Sequence, residues 1–280
     1  MAVVSRLTGA LTRAVLVVVV VATPSVLLSE VSGDAKQMVA LVALFAGLLT
    51  LAEYNADYPS LIEFRDAPPF NRVRYLMLFA TVFGLSIMER GHYDPTSMTE
   101  FIQAIGHLIG RAMDFPYSPV RLAALMLSAQ PNAQSYETVR DAAGVAYFTS
   151  LVSLTVFVII LKAGAWPLQN RAFNVWINLP TFDPSAGGDV VDRMERDGRI
   201  NIALGFLLPF VMPFVISLSS TGLHAISLSS PQNLIWTVTA WSFLPASLFM
   251  RGIAMGRLAD MIRDIRRAKG EASESRFATV

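Results

Sequence analysis

Six apolar runs divide the chain, at residues 14–28, 38–52, 75–88, 145–165, 200–218 and 234–250. None has Asp, Glu, Lys, Arg or His at its centre. As helices they rise about 21 to 31 Å, close to the roughly 30 Å of a hydrocarbon core. The pattern predicts an all-α, polytopic helical membrane protein with about six transmembrane helices in one domain over 1–269. Residues 270–280 read as a flexible C-terminal tail. The third run is the shortest, and needs Arg72 and Arg74 at one end and Glu89 and Arg90 at the other to reach the headgroups. Arg6 and Arg13 before the first run also suit a secretory signal peptide, with small residues at Gly33-Asp34-Ala35. Thirty-five residues is long for one, so an uncleaved span kinked near Pro24 is expected.

Between the runs the pattern changes. Residues 89–141 form the longest connection. Ser97-Met98-Thr99-Glu100 fits a capping box, predicting a helix that starts after Ser97. Phe101, Ile105, Leu108, Ile109 and Ala112 then share one face, and Gln103, His107, Arg111 and Asp114 the other. That is an amphipathic helix, on the membrane or against the bundle. Ser118-Pro119 opens a second short helix that Pro131-Asn132 ends, giving an outer amphipathic subdomain. In the 166–199 connection, Asp189 caps a helix after Gly187-Gly188, and Asp189/Arg193 and Asp192/Arg196 stand at i,i+4. The sixth run continues into Arg251, Arg257, Arg263, Arg266, Arg267 and Lys269 without a helix stop.

That basic continuation orients the chain, because Lys and Arg beside a span are retained in the cytoplasm. With six spans both termini lie inside, and 17 of the 22 Lys and Arg fall in inside segments. The expected location is a bacterial inner (cytoplasmic) membrane. Only three of the 22 are lysines, as in a GC-rich genome. Composition agrees: 54% hydrophobic, 15% charged and a net charge of +1, which disfavours nucleic acid as a partner. The absence of cysteine excludes disulfides, Cys-ligated clusters, covalent c-type haem and thiolate zinc sites.

Little of the usual site chemistry is present. His92, His107 and His224 show no i,i+4 pair and no H-E-x-x-H, and no span carries a histidine for haem or for activating a serine. No Walker A or Rossmann glycine pattern occurs, so no metal, cofactor or catalytic residue is assigned. Pro209 and Pro213 free backbone carbonyls in the fifth run, as in broken transporter helices, although proline is ordinary in membrane helices. The most unusual stretch is 53–74, where tyrosines, acids, prolines and arginines crowd one inside loop. Tyr54, Asp57, Tyr58, Glu63, Arg65, Asp66, Arg72 and Arg74, with Trp176 from the next inside connection, form the candidate partner-binding set. Aromatic and Arg side chains favour interface centres, and Arg makes bidentate contacts that Lys does not. The bland alternative is that these acids and arginines pair with each other at the headgroups. The expected function is a non-catalytic subunit, assembly or scaffolding factor in the bilayer, with a protein partner or a second copy of itself. The alternative is a carrier or channel for an uncharged or amphiphilic solute.

Overall fold

The computed structural model describes residues 2–29, 31–128, 133–164, 166, 174–183, 187–222 and 230–277, with side chains for all of these except 2–5, 176, 219–222 and 269–277. Among them are nine helices and no strand: α1 (Ala2–Leu27), α2 (Gly33–Asn55), α3 (Phe70–Arg90), α4 (Ser97–Met113), α5 (Pro119–Leu127), α6 (Ala133–Ala163), α7 (Val175–Asn178), α8 (Val190–Gly222) and α9 (Pro231–Phe277). Four are long and apolar enough to cross a membrane: Arg6–Leu27, Gly33–Asn55, Ala133–Ala163 and Val190–Leu218. The third and sixth apolar runs are helical in α3 and α9 but lack the same sustained apolarity.

α2, α3, α8 and α9 outrun their apolar runs at both ends, where polar residues find partners. Ser32 caps α2 by accepting the Ala35 N–H at 3.2 Å, five residues before the second run begins. Asp189 caps α8 by accepting the Val191 N–H at 2.7 Å, as its position after two glycines predicts. The expected i,i+4 pairing beyond it does not form as drawn. Asp189 instead meets Arg266 of α9 at 2.7 Å, and Arg193 bonds the Asp183 carbonyl and stacks on Phe182. The basic part of α9 lies against the acidic start of α8, and an opposite charge on a neighbouring helix displaces the local one. The start of α4 also differs from expectation. Its cap is Thr96, which accepts the Thr99 N–H at 3.2 Å, while Thr99 Oγ1 accepts the Thr96 N–H at 2.8 Å. A threonine hydroxyl thus does the work the box assigns to Glu100, one residue too late. At the far end α9 stays helical through Phe277, over most of the segment read as a tail.

Two apolar clusters lie at opposite ends of the bundle. One gathers Phe64, Phe70, Met77, Phe157, Leu161, Leu179, Met194 and Met255. The other gathers Val82, Leu85, Val120, Ala143, Ile235, Val238 and Trp241. Between α8 and α9 the backbones approach at glycines: a Cβ on Gly198 would sit 3.0 Å from the Gly252 carbonyl, and one on Gly205 2.7 Å from that of Pro245. Small residues at such crossings let helices pack where lipid offers no hydrophobic drive between them. α8 runs unbroken through Pro209 and Pro213. Pro213 has no N–H for the carbonyl of residue 209, and the indole N–H of fully buried Trp241 donates to that oxygen at 3.0 Å. The freed acceptor is satisfied across the helix interface, a hydrogen bond of about 1 kcal/mol.

Candidate functional site

The polar stretch between α2 and α3 folds back on the bundle from its first residue. Glu53, buried in the last turn of α2, receives the N–H groups of Ser60, Leu61 and Ile62 on Oε2 at 2.9, 2.9 and 3.2 Å, and the Ser60 hydroxyl on Oε1 at 2.7 Å. One carboxylate thus closes the turn that Pro59 begins. Arg65 reaches the same helix end from the other side, donating to the Glu53 and Ala56 carbonyls at 3.1 and 2.6 Å. Those carbonyls have no partner within the helix, and a cation is favoured there. Between these anchors Phe64 takes a positive φ of 52°, uncommon for a bulky residue. Its ring is the reason the conformation holds: it is buried 4.4 Å from the Phe70 ring and 6.1 Å from Trp166. The Phe64 and Asp66 N–H groups both go to Asn178, whose carbonyl and side-chain oxygen accept at 2.6 and 3.0 Å.

Six of the nine residues singled out by sequence divide between half-buried tethers and a common hollow. Glu63 makes a two-pronged ion pair with Arg251 of α9 at 2.6 and 2.9 Å and accepts from Thr181. Arg74 lies over the rings of Phe70 and Phe243 and donates to Ser247 at 3.2 Å. Tyr54, Asp57, Arg65 and Asp66 line a hollow of about 430 Å³ beside α1. Tyr58 and Arg72 point out from the protein elsewhere on this end. Trp176 belongs to α7, but its side chain lies outside the described residues.

Two charged lining residues of the hollow, Arg6 and Arg13, lie outside the candidate set drawn from the sequence. Arg6 pairs with Asp57 at 2.9 Å and Arg13 stands 4.6 Å over the Tyr54 ring. Their seven-residue spacing, two helical turns, was the available signal that both face the same way. The three arginines are already engaged with carbonyls, carboxylates and a ring, and the described lining holds no Ser, Thr, Cys or His.

A second hollow, about 400 Å³, opens at the other end between α3, α4 and α6. Glu89, His92, Gln103, His107, Glu137 and Asp141 line it. His107 Nδ1 stands 2.9 Å from Asp141 Oδ2 and 3.1 Å from Arg140 Nη2, so it lies against their ion pair and bonds one member or the other according to its tautomer. Among the described residues no three His, Asp or Glu come together as a metal site, and His224 lies outside them. No protein-family model matches this chain, and no curated protein or solved structure was found similar to it. Its class therefore rests on its own geometry: an all-helical protein whose apolar helices suit contact with a lipid bilayer.

Proposed function

We propose that the chain is a non-catalytic integral membrane protein of six spans, acting as a subunit, assembly or scaffolding factor. In this reading α3 and the first half of α9 join the four strongly apolar helices as spans. Both termini and the 56–69 loop then face the cytoplasm of a bacterial inner membrane. The distribution of Lys and Arg, 17 of 22 on that side, supports the orientation.

The observation that carries the proposal is the division of labour within the loop. Glu53, Glu63, Phe64 and Arg65 are spent on fixing its shape, while Tyr58 and Leu61 stand 80% and 62% exposed on the fixed rim. Asp57 and Asp66 flank them. An aromatic and an aliphatic side chain held outward by a rigid loop, ringed by charge, match the anchor-and-rim composition of protein interfaces. Arg65 and Glu63 leave the contact set and become its supports.

The test is cross-linking from the rim. A photo-reactive residue replacing Tyr58 in the full chain should give one stoichiometric adduct in native membranes. Tyr58→Ala with Leu61→Ala should abolish that complex on detergent purification while leaving the amount of folded protein unchanged. A chain that purifies alone, with no adduct at this position, overturns the docking reading in favour of a carrier or channel.

A further inference from the structure

α4 presents three distinct faces, and they settle differently from an ordinary amphipathic helix. Its packed face is made of Thr99, Gly106 and Gly110, all buried. A Cβ on Gly110 would lie 2.8 Å from the Asp141 Cα, and one on Gly144 only 2.5 Å from the Gly110 Cα, so α4 and α6 cross in backbone contact. One flank of α4 is polar: His107 reaches Asp141 and Arg140, and with Gln103 and Ala104 it borders the hollow shared with Gln134, Glu137 and Thr138. The other flank is apolar and uncovered. Met98, Phe101 and Leu108 are 60%, 60% and 69% exposed, with Ile105 among them.

The direction of each flank follows from α6. The crossing lies at 141–145, where the apolar run of α6 begins. Gln134, Glu137 and Thr138 on the polar flank are one to three turns farther from that run. The apolar flank must then look the opposite way, along α6 toward exposed Phe148 and Val152. Tyr93, Phe115 and Tyr117, just beyond the two ends of α4, are exposed aromatics of the kind that populate membrane–water interfaces.

We infer that α4 lies in the plane of the bilayer at its outer surface, held to α6 by the glycine crossing. Its Met98–Phe101–Ile105–Leu108 flank is seated among lipid acyl chains. The occupant of the flank is lipid, because it continues the exposed apolar surface of α6 and carries no charged group. The hollow on the opposite flank opens to water. This rests on α6 being a membrane span.

The test uses the cysteine-free chain, reconstituted whole into phosphatidylcholine–phosphatidylglycerol vesicles, with single nitroxide-labelled cysteines. Phe101→Cys, Ile105→Cys and Leu108→Cys should show a severalfold higher ratio of oxygen to water-soluble nickel-chelate accessibility than Ala104→Cys and Arg111→Cys. Val152→Cys, on the apolar run of α6, separates the two ways of failing. Nickel access at 101, 105 and 108 with oxygen access at 152 overturns the in-plane helix alone; nickel access at 152 overturns the membrane reading itself. Spin–spin broadening at 101 or 108 would show a second copy on this flank and also defeats the inference.

Discussion

The two ends of the bundle are held together by different means. At the end carrying residues 56–69, segments far apart in sequence are tied by charge and aromatic rings: Glu63 to Arg251, Arg6 to Asp57, Phe64 into Phe70 and Trp166. At the α4 end charge pairs such as Arg121–Asp114 are joined by glycines and alanines that bring backbones into contact, with Gly110 on Gly144 and Ala123, Ala143 and Ala146 fully buried. Charge pairs tolerate displacement and keep a residual attraction when stretched. A backbone crossing has no such tolerance, because neither partner has a side chain that can swing aside. A backbone crossing is thus the more rigid tie of the two.

The largest expected effect tests that rigidity. Gly144→Leu drives a side chain into the Gly110 backbone, where overpacking costs up to about 3 kcal/mol. The folded fraction recovered in detergent should fall sharply, and α4 should become open to protease between Phe101 and Arg111. If Gly144→Leu melts like the unmodified protein, the crossing is not the close contact described.

Next is Glu63→Ala, which leaves Arg251 without its carboxylate. The pair is partly shielded, between exposed pairs worth up to about 1 kcal/mol and buried pairs whose breakage costs about 3–5 kcal/mol, so a loss on the order of 2 kcal/mol is expected. Thermal melts should show it, and Arg251→Met combined with Glu63→Met should recover part of it. If the double replacement is as unstable as Glu63→Ala alone, the loop owes its position to something other than this pair.

The smallest effect concerns Asp189. The Arg266 guanidinium, and then the Val191 N–H, hold its carboxyl below the usual Asp range. A carboxyl lowered by folding stabilises the protein above its unfolded value, near 3.9, and loses that contribution as pH falls through the lowered folded value. A distance probe between α8 and the basic part of α9 should register a slight separation in that acid range. Asp189→Asn should remove the pH response. An unchanged acid response in that variant would place the titrating group elsewhere.

The apolar runs were legible in the sequence because each is free of charge through its centre, and helix is the one regular structure a single span can close on itself. The start of α8 was legible as well, from Asp189 after two glycines, but not its attachment to Arg266 of α9, 77 residues later. The candidate loop was legible as an unusual stretch but not in its internal contacts. Arg65 and Asp66 are adjacent in sequence and paired at 3.3 Å, but Arg65 also reaches the carbonyls at the end of α2, and the Asp66 N–H is held by Asn178, 112 residues later. Tyr58 could be picked out, but its outward aim depends on the Glu53 clasp, for which a lone acid at a helix end gave no sign.

α2 touches no described helix but α1, and it does so through Ala43 and Gly47, one turn apart, with Gly47 against Val18 and the Ala14 backbone. Met38, Leu41, Leu44, Phe45 and Leu48 around the rest of its girth are all well exposed. Nearly every position between Met38 and Ala52 can therefore drift among Leu, Ile, Val, Phe and Met at no cost to the bundle. Across diverging copies of this gene, α2 would keep its apolar character and lose its wording, with small residues at 43 and 47 and the acid at 53 as its only fixed letters.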